Sequence, residues 1–568
     1  MRPLEHPVIR ELVTLLDRYA IRHLVLCPGS RNAPLLHALS HGIEGATCYS
    51  IVDERSAGFY ALGVAIATHS PVAVCCTSGT ALANLYPAVA EAYYQGIPLI
   101  VISADRPEIW IGQMAGQTLP QPEIFGSLVR KAIHIPEPHT AEERWYSNRL
   151  LNEALLATQY PLPGPVHINI PLADPSISLA ETPMEEEERA ENVRGATPCG
   201  MLPGRYIELH RSLRLDPTLL TDLIQRLPRF RRKMILLGQE TWDILEAAKP
   251  FPQVLRKHFF CLGESLCNRE VSLCSFDALL ASLTEEEKEE LQPDLLITMG
   301  GHIVSNKMKQ YLRTHPPREH WHISLDPSVV DLFHTLTDLI IAPPEDFLEA
   351  LSESISREKL SLYAEVWQKR VEQLPAPQMY YNSLGVVGSL IAHLPSEPFV
   401  LHLANSSAVR YAELFPKPHP IVTLCNRGTS GIEGSLSTAL GFASVRTAEL
   451  QIIVIGDLSF FYDLNALAIQ DIGKHVRVLL LNNKRGSIFQ SLPTLEMDRL
   501  SQKYITAEHH SEAKGWVESS GWDYYSVKGS EELQETMPLW LASGEYPKLL
   551  EVFVEADREI AELKKIFQ

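Results

Sequence analysis

The chain has 568 residues and a formal net charge of −19; the length predicts about three domains, and the acidic balance, with no basic tract interleaved with aromatics, argues against nucleic acid as a partner. No apolar run reaches the roughly 18 residues that cross a bilayer, and the first twenty residues carry acidic groups where a leader would be basic and apolar, so a cytoplasmic protein without a membrane span is expected. The nine cysteines form no Cys-x-x-Cys pair. Cys27, Cys75, Cys76 and Cys425 lie in apolar runs, where a reduced thiol behaves as a small hydrophobe, so neither a zinc site nor a disulfide framework is expected.

In chain order, short apolar runs alternate with longer amphipathic ones, the pattern of an α/β protein. The first block, residues 1–178, has predicted strands at His23–Cys27, Val72–Cys76, Leu99–Ser103 and Val166–Ile170. Between the first two stands 53-DERSAGFYALGVAIAT-68. A helix apolar on every side is normally buried, so Glu54 in its first turn is expected to face a sealed space rather than solvent. The alternative is a carboxylate placed on the helix dipole.

An acidic, Pro-punctuated stretch then reads as a linker. The second block, residues 200–356, has strands at Met234–Gly238, Leu295–Gly301 and His322–Asp326. The third, residues 380–568, has strands at Phe399–Leu403, Ile452–Ile455, Val476–Leu481 and Leu549–Val554. The expectation is three doubly wound parallel-sheet domains, with no literal repeat between them. Ligands bind such sheets at the carboxyl ends of the strands, so the loops there are where chemistry is sought.

Two of those loops lie in the third block. In IIVIGDLSFFYDLNAL a strand ends in Gly456-Asp457, and in VRVLLLNNKRGSIF another ends in Asn482-Asn483, with Asn483 26 residues after Asp457. The glycine lets backbone approach a ligand. An aspartate, an asparagine amide and a backbone carbonyl, assigned to Arg485, make an all-oxygen set that suits Mg²⁺ or Mn²⁺ when phosphates and water complete the shell. Taken singly, Asp457 would cap a helix and Asn483 would make a turn.

Paired at this spacing, Gly-Asp and Asn-Asn resemble the fingerprint of the thiamine diphosphate-dependent enzymes, with Leu458 standing where that family usually has glycine. The resemblance implies thiamine diphosphate with Mg²⁺ or Mn²⁺ as cofactors. It implies that Ser406, Gly456, Asp457, Leu458, Ser459 and Asn483 surround the diphosphate and metal. It also answers the question posed by Glu54, which matches the catalytic glutamate that bonds to the aminopyrimidine ring. Ile432 in GTSGIEG matches the apolar residue that bends the cofactor, and Ile488, Phe489 and Leu492 match an apolar wall around it; as plain core residues all four would look the same.

Arginines mark the substrate. PGSRNAPL carries Ser30 and Arg31, the ADRPE segment carries Arg106 with Gln117 beyond it, NSSAVRYAEL carries Ser406 and Arg410, and NRGTSGIEG carries Arg427. Arginine pairs bidentately with carboxylates, so four near strand ends imply substrates with several carboxylates. With these motifs in order, the chain is similar to the menaquinone-pathway carboligases of the superfamily. That similarity implies decarboxylation of 2-oxoglutarate and 1,4-addition of the succinyl carbanion equivalent to isochorismate. Ser406, Arg410 and Arg427 would hold the donor, and Ser30, Arg31, Arg106 and Gln117 would face the acceptor. It further implies a homodimer or homotetramer, because in this superfamily the cofactor lies between the first block of one subunit and the third block of another.

In the middle block, basic residues that related enzymes carry after a serine are shifted, with Asn306 following Ser305 and then Lys307, which either takes that role or is a solvated lysine. His320 and His322 read as packing residues. The rival readings are a carboligase or decarboxylase of the acetolactate synthase type, which does not need the four arginines, and a non-catalytic nucleotide-binding α/β protein, which does not need Glu54 and Asp457. A nicotinamide dehydrogenase is disfavoured because no GxGxxG follows the first strand.

Overall fold

Continuous aliphatic runs form the central strands. Leu99–Asp105 and Val476–Asn482 are buried at every position, as expected for parallel sheets covered on both faces. The computed structural model describes residues 6–173, 205–210, 214–240, 251–264, 266–269, 271, 276–355, 361–374, 379–415, 422–487, 498–557 and 559–560. Within them lie three sheets whose strand pairs are all parallel.

The first sheet comprises β1 (His23–Leu26), β2 (Thr47–Ser50), β3 (Val72–Cys76), β4 (Leu99–Asp105), β5 (Lys131–His134) and β6 (Val166–Pro171), in the order β2-β1-β3-β4-β6-β5. The middle sheet comprises β7 (Lys233–Leu237), β8 (Phe260–Gly263), β9 (Leu295–Met299), β10 (Glu319–Ser324) and β11 (Asp338–Ile341), ordered β11-β10-β9-β7-β8. The third comprises β12 (Phe399–Leu403), β13 (Val422–Leu424), β14 (Leu450–Gly456), β15 (Val476–Asn482), β16 (Asp523–Val527) and β17 (Lys548–Phe553), ordered β13-β12-β14-β15-β17-β16. The first and third sheets therefore lay down the same succession of strands, a duplication that the residues themselves do not display. The predicted central strands are present. The strands that went unread include β2, mostly exposed, β5, half-buried, and the three-residue β13, which sit at sheet edges and lack the apolar run that marks a central strand.

Alternation places the cores. In β7, Met234 and Leu236 join one apolar cluster and Ile235 and Leu237 another, because successive side chains point to opposite faces. Contacts divide the chain into two units, one holding the first sheet together with Leu436–Arg446 and Asp463–Ile472, the other holding the middle and third sheets. In the first unit the helix Glu54–Thr68 buries an unbroken run from Ser56 to Ala67, as its composition predicts. It crosses the segment from Leu436 at a glycine on each side. A Cβ on Gly63 would stand 1.9 Å from the Thr438 carbonyl oxygen, and one on Gly441 would stand 2.0 Å from the Tyr60 carbonyl oxygen, so the two backbones touch. Among the described residues no helix is long and apolar enough to cross a membrane.

Candidate active site

In each sheet, strand order reverses direction beside the first strand, which leaves a crevice at the carboxyl ends. In the third sheet it opens between β12 and β14. The register sets Gly456 beside Leu481, so Asp457 and Asn483, just beyond, converge on one cleft. That cleft, of about 130 Å³, is lined by Asn405, Ser406, Ile432, Gly456 to Ser459, Asn483 and Arg485 among others. A larger groove of about 540 Å³ borders Arg231, Lys233 and Tyr363, but it lies by the amino end of β7 and holds none of the motif residues; volume alone does not select a site.

The local chemistry of the cleft suits a diphosphate and a hard cation. A Cβ on Gly456 would meet nothing within 4 Å, so the strand end is open to a ligand. Ser406 holds a left-handed backbone (φ 71°) at the head of the helix Ser407–Ala412, a conformation that costs free energy and that functional loops often retain. Asp457 is 4% exposed; its Oδ1 accepts from the Leu458 amide at 2.7 Å and its Oδ2 lies 3.2 Å from His509 Nε2. The Ser511 amide donates to His509 Nδ1. The Asn-Asn pair divides its work: Asn482 is buried and donates to Glu551 and to the Ser511 carbonyl, whereas Asn483 faces the cleft with Oδ1 accepting from the Arg485 amide at 3.2 Å. Ser459 donates to the Ile432 carbonyl. Among the described residues no cluster of three or more His, Cys, Asp or Glu could hold a metal; one carboxylate, one amide and one carbonyl would suit only an oxygen-preferring ion completed by ligand oxygens. Ile488, Phe489 and Leu492 lie outside the described residues.

Positive charge gathers on the same side. Arg427 is 8% exposed and donates from Nη1 to Asn405 Oδ1 at 3.0 Å, while its Nε and that of Arg410 are buried with no partner among the described residues. Asn405 in turn donates to the carbonyls of Asn426 and Gly431, tying the loop after β12 to the arginine loop. From the middle sheet, Gln239 donates to the Cys425 carbonyl at 2.8 Å. Burial, and after it the charge of Arg427, lowers the Lys309 pKa, with Arg410 adding and Glu264 opposing. Lys309, one turn beyond Asn306 in the same helix as Lys307, thus lies in the field of the arginines. Ser305 caps that helix, accepting from the Met308 amide. His320 and His322 share the Thr298 hydroxyl; burial lowers the pKa of His320 to about 4, as suits packing residues.

In the first unit, Asp53 and not Glu54 caps the apolar helix, accepting from the Arg55 and Ser56 amides. Glu54, half-buried, is freed from that duty and accepts from Asn84 Nδ2 at 3.3 Å; burial, and then its charge, pushes the Cys27 thiol well above its ordinary pKa. Near the crevice between β1 and β3, the hydroxyls of Thr77 and Ser78 are buried with no partner among the described residues. Ser30 and Gln117 are exposed, and Gln117 lies over Gly79, where a Cβ would stand 3.1 Å from its Cα. Arg106 donates from Nε to the Gly116 carbonyl and holds the loop that carries Gln117. Arg31 is 5% exposed and donates to the Leu172 carbonyl at 2.8 Å, so it braces the end of β6 as well as standing beside Ser30. Gln121, unremarked in the sequence, is fully buried and joins the Gly79 amide to Asn169.

The family model for the N-terminal TPP-binding domain of thiamine pyrophosphate enzymes matches residues 8–126, and that for the middle domain matches residues 259–398. The chain is 46% identical over 564 residues to the 2-succinyl-5-enolpyruvyl-6-hydroxy-3-cyclohexene-1-carboxylate synthase of Phocaeicola vulgatus, covering 98% of this chain and 97% of that one. It is 47% identical to the protein of that name from Bacteroides thetaiotaomicron, covering 98% of each, and 34% identical to that from Desulfotalea psychrophila, covering 98% and 99%.

Proposed function

Because the chain belongs to the 2-succinyl-5-enolpyruvyl-6-hydroxy-3-cyclohexene-1-carboxylate synthase family of thiamine diphosphate enzymes, we propose a division of labour among its residues for that reaction. The enzyme is a transferase of menaquinone biosynthesis that decarboxylates 2-oxoglutarate and adds the four-carbon remainder to isochorismate in a 1,4 sense. Bound thiamine diphosphate supplies the nucleophilic carbon and the electron sink.

Asp457, Asn483 and the Arg485 carbonyl would hold Mg²⁺ or Mn²⁺, with Ser406, Gly456, Leu458 and Ser459 around the diphosphate. Ile432, and the apolar side chains of Ile488 and Phe489, hold the cofactor's shape and keep water from the reacting carbon. Glu54 would hold and pass a proton at the aminopyrimidine ring. Arg410 and Arg427 bind the donor carboxylates; Ser30, Arg31, Arg106 and Gln117 receive the acceptor. Residues 1–178 form the pyrimidine-binding domain, 200–356 the central one and 380–568 the diphosphate-binding one. The protein acts in the cytoplasm as a homodimer or homotetramer whose sites use two subunits, so sedimentation should find the active species larger than the 63.6 kDa chain.

The observation that supports this reading is the meeting of Asp457 and Asn483 in the cleft at the reversal point of the third sheet, with Arg427 bonded to the Asn405 that lines it. Its test is purified protein with thiamine diphosphate, Mg²⁺, 2-oxoglutarate and isochorismate, following isochorismate absorbance, with pyruvate replacing 2-oxoglutarate in parallel. Consumption only with 2-oxoglutarate and cofactor supports it. Turnover with pyruvate would move the chain toward acetolactate-type chemistry.

A further inference from the structure

The loop that carries Asn483 is gripped from below by the far end of the chain. Glu559 is fully buried. Its Oε2 accepts from Asn483 Nδ2 at 2.8 Å and from the Ser487 hydroxyl at 3.3 Å, and its Oε1 accepts from the Ser383 amide at 3.1 Å. Two residues earlier, Asp557 forms an ion pair with Arg485. Asn483, Ser487 and Ser383 each donate to Glu559, so the carboxyl group serves as an acceptor on both oxygens.

We infer that Glu559 is a positioning residue for the cation site, the acceptor that turns the Asn483 amide so that Oδ1 rather than Nδ2 faces the metal. An amide side chain can present either end, and only the oxygen ligates a hard cation. Ser487 supplies a second acceptor for the same Nδ2 at 2.8 Å, and the Arg485 amide donates to Oδ1, so three contacts agree on one orientation. The carboxylate is the decisive one because it has no donor to offer. A glutamine there would have one, and the Ser383 amide, a backbone donor that cannot turn, would draw the glutamine oxygen to itself and leave the glutamine NH₂ facing Asn483. The Asn483 amide would then be driven to flip and set its own NH₂ toward the cation. Residues that orient metal ligands in this way typically change affinity by about 10- to 100-fold when altered.

The inference rests on the proposal that Asn483 ligates a divalent cation, and the test separates the two. Mn²⁺ is titrated by electron paramagnetic resonance into wild-type protein and Glu559→Gln, each with thiamine diphosphate. The expected result is Mn²⁺ affinity about 10- to 100-fold weaker in the isosteric variant, with turnover recovering toward wild type at saturating Mg²⁺. Wild-type affinity in Glu559→Gln overturns the positioning role, as does a lower melting temperature or kcat with unchanged Mn²⁺ affinity. Failure of the wild type itself to bind Mn²⁺ overturns the cation reading instead. Should Glu559→Gln not fold, Ser487→Ala removes the other acceptor; a smaller weakening is expected there, and unchanged Mn²⁺ affinity counts against the inference.

Discussion

Replacing Arg410 by methionine isolates the donor assignment, because the stem is kept and only the guanidinium is lost. Among the described residues the Arg410 Nε is buried without a partner, whereas loss of Arg427 would take from Asn405 Oδ1 its guanidinium donor. A hydrogen bond to a charged group contributes about 1.5–3 kcal/mol, or roughly a 10- to 150-fold loss in kcat/KM for 2-oxoglutarate. Arg427 and Lys309 remain beside the site, so the lower part of that range is expected. Steady-state assays would vary each substrate separately and include pyruvate, which lacks the distal carboxylate. The loss should fall on the 2-oxoglutarate KM and narrow its preference over pyruvate, leaving the isochorismate KM nearly unchanged. A rise confined to isochorismate would transfer Arg410 to the acceptor side, and no change in either would remove Arg410 from substrate binding.

Glu54→Gln should bind thiamine diphosphate yet turn over about 10²- to 10⁴-fold more slowly, seen by cofactor titration beside the isochorismate assay; full activity would end its catalytic assignment. Gly63→Ala places a Cβ 1.9 Å from the Thr438 carbonyl oxygen and 2.6 Å from the Phe442 nitrogen, both backbone atoms, so about 1–3 kcal/mol of destabilisation is expected. Thermal unfolding would measure it, and an unmoved transition would mean that the two helices do not touch at that glycine.

What could be read from the residues was local or strongly periodic. Buried central strands announced themselves by aliphatic runs, and Gly456-Asp457 with Asn483 announced the cleft because spacing along two adjacent strands fixes where their ends meet. The shared strand order of the first and third sheets left no trace in sequence, since it is set by crossovers and not by residue identity. His509 and Glu559 belong to no local pattern; each reaches the cleft from a distant segment and is recognised only by what it touches. Lys307 and Lys309 show the limit inside a motif. Two residues on a helix point to different sides, and only the packed helix decides which one meets the arginines. Likewise, the carboxylates at the start of the apolar helix stood out by position, but that Asp53 caps it needed the backbone.

Asp463 offers a prediction in which the sign decides the outcome. It is fully buried, accepts from the Ser437 amide at 2.7 Å and from the Ser437 hydroxyl at 2.8 Å, and stands near Asp53, whose Oδ2 accepts from Asn465 at 2.7 Å. Burial raises its pKa from 3.8 to about 6, outweighing the Ser437 bonds. A carboxyl raised on folding takes up a proton that the unfolded chain releases, so its contribution to stability is complete below pH 3.8, declines as pH rises, and is gone above about 6. The loss amounts to about 3 kcal/mol by linkage. Asp463→Asn keeps the shape and cannot ionise, so relative to wild type its stability should improve between pH 4 and 6 and then level off. Comparing the two proteins cancels other groups that titrate in that window. Parallel stability curves would show that Asp463 titrates alike in the folded and unfolded chain, so that burial at the contact between Asp463–Ile472 and the head of the Glu54 helix does not raise its pKa.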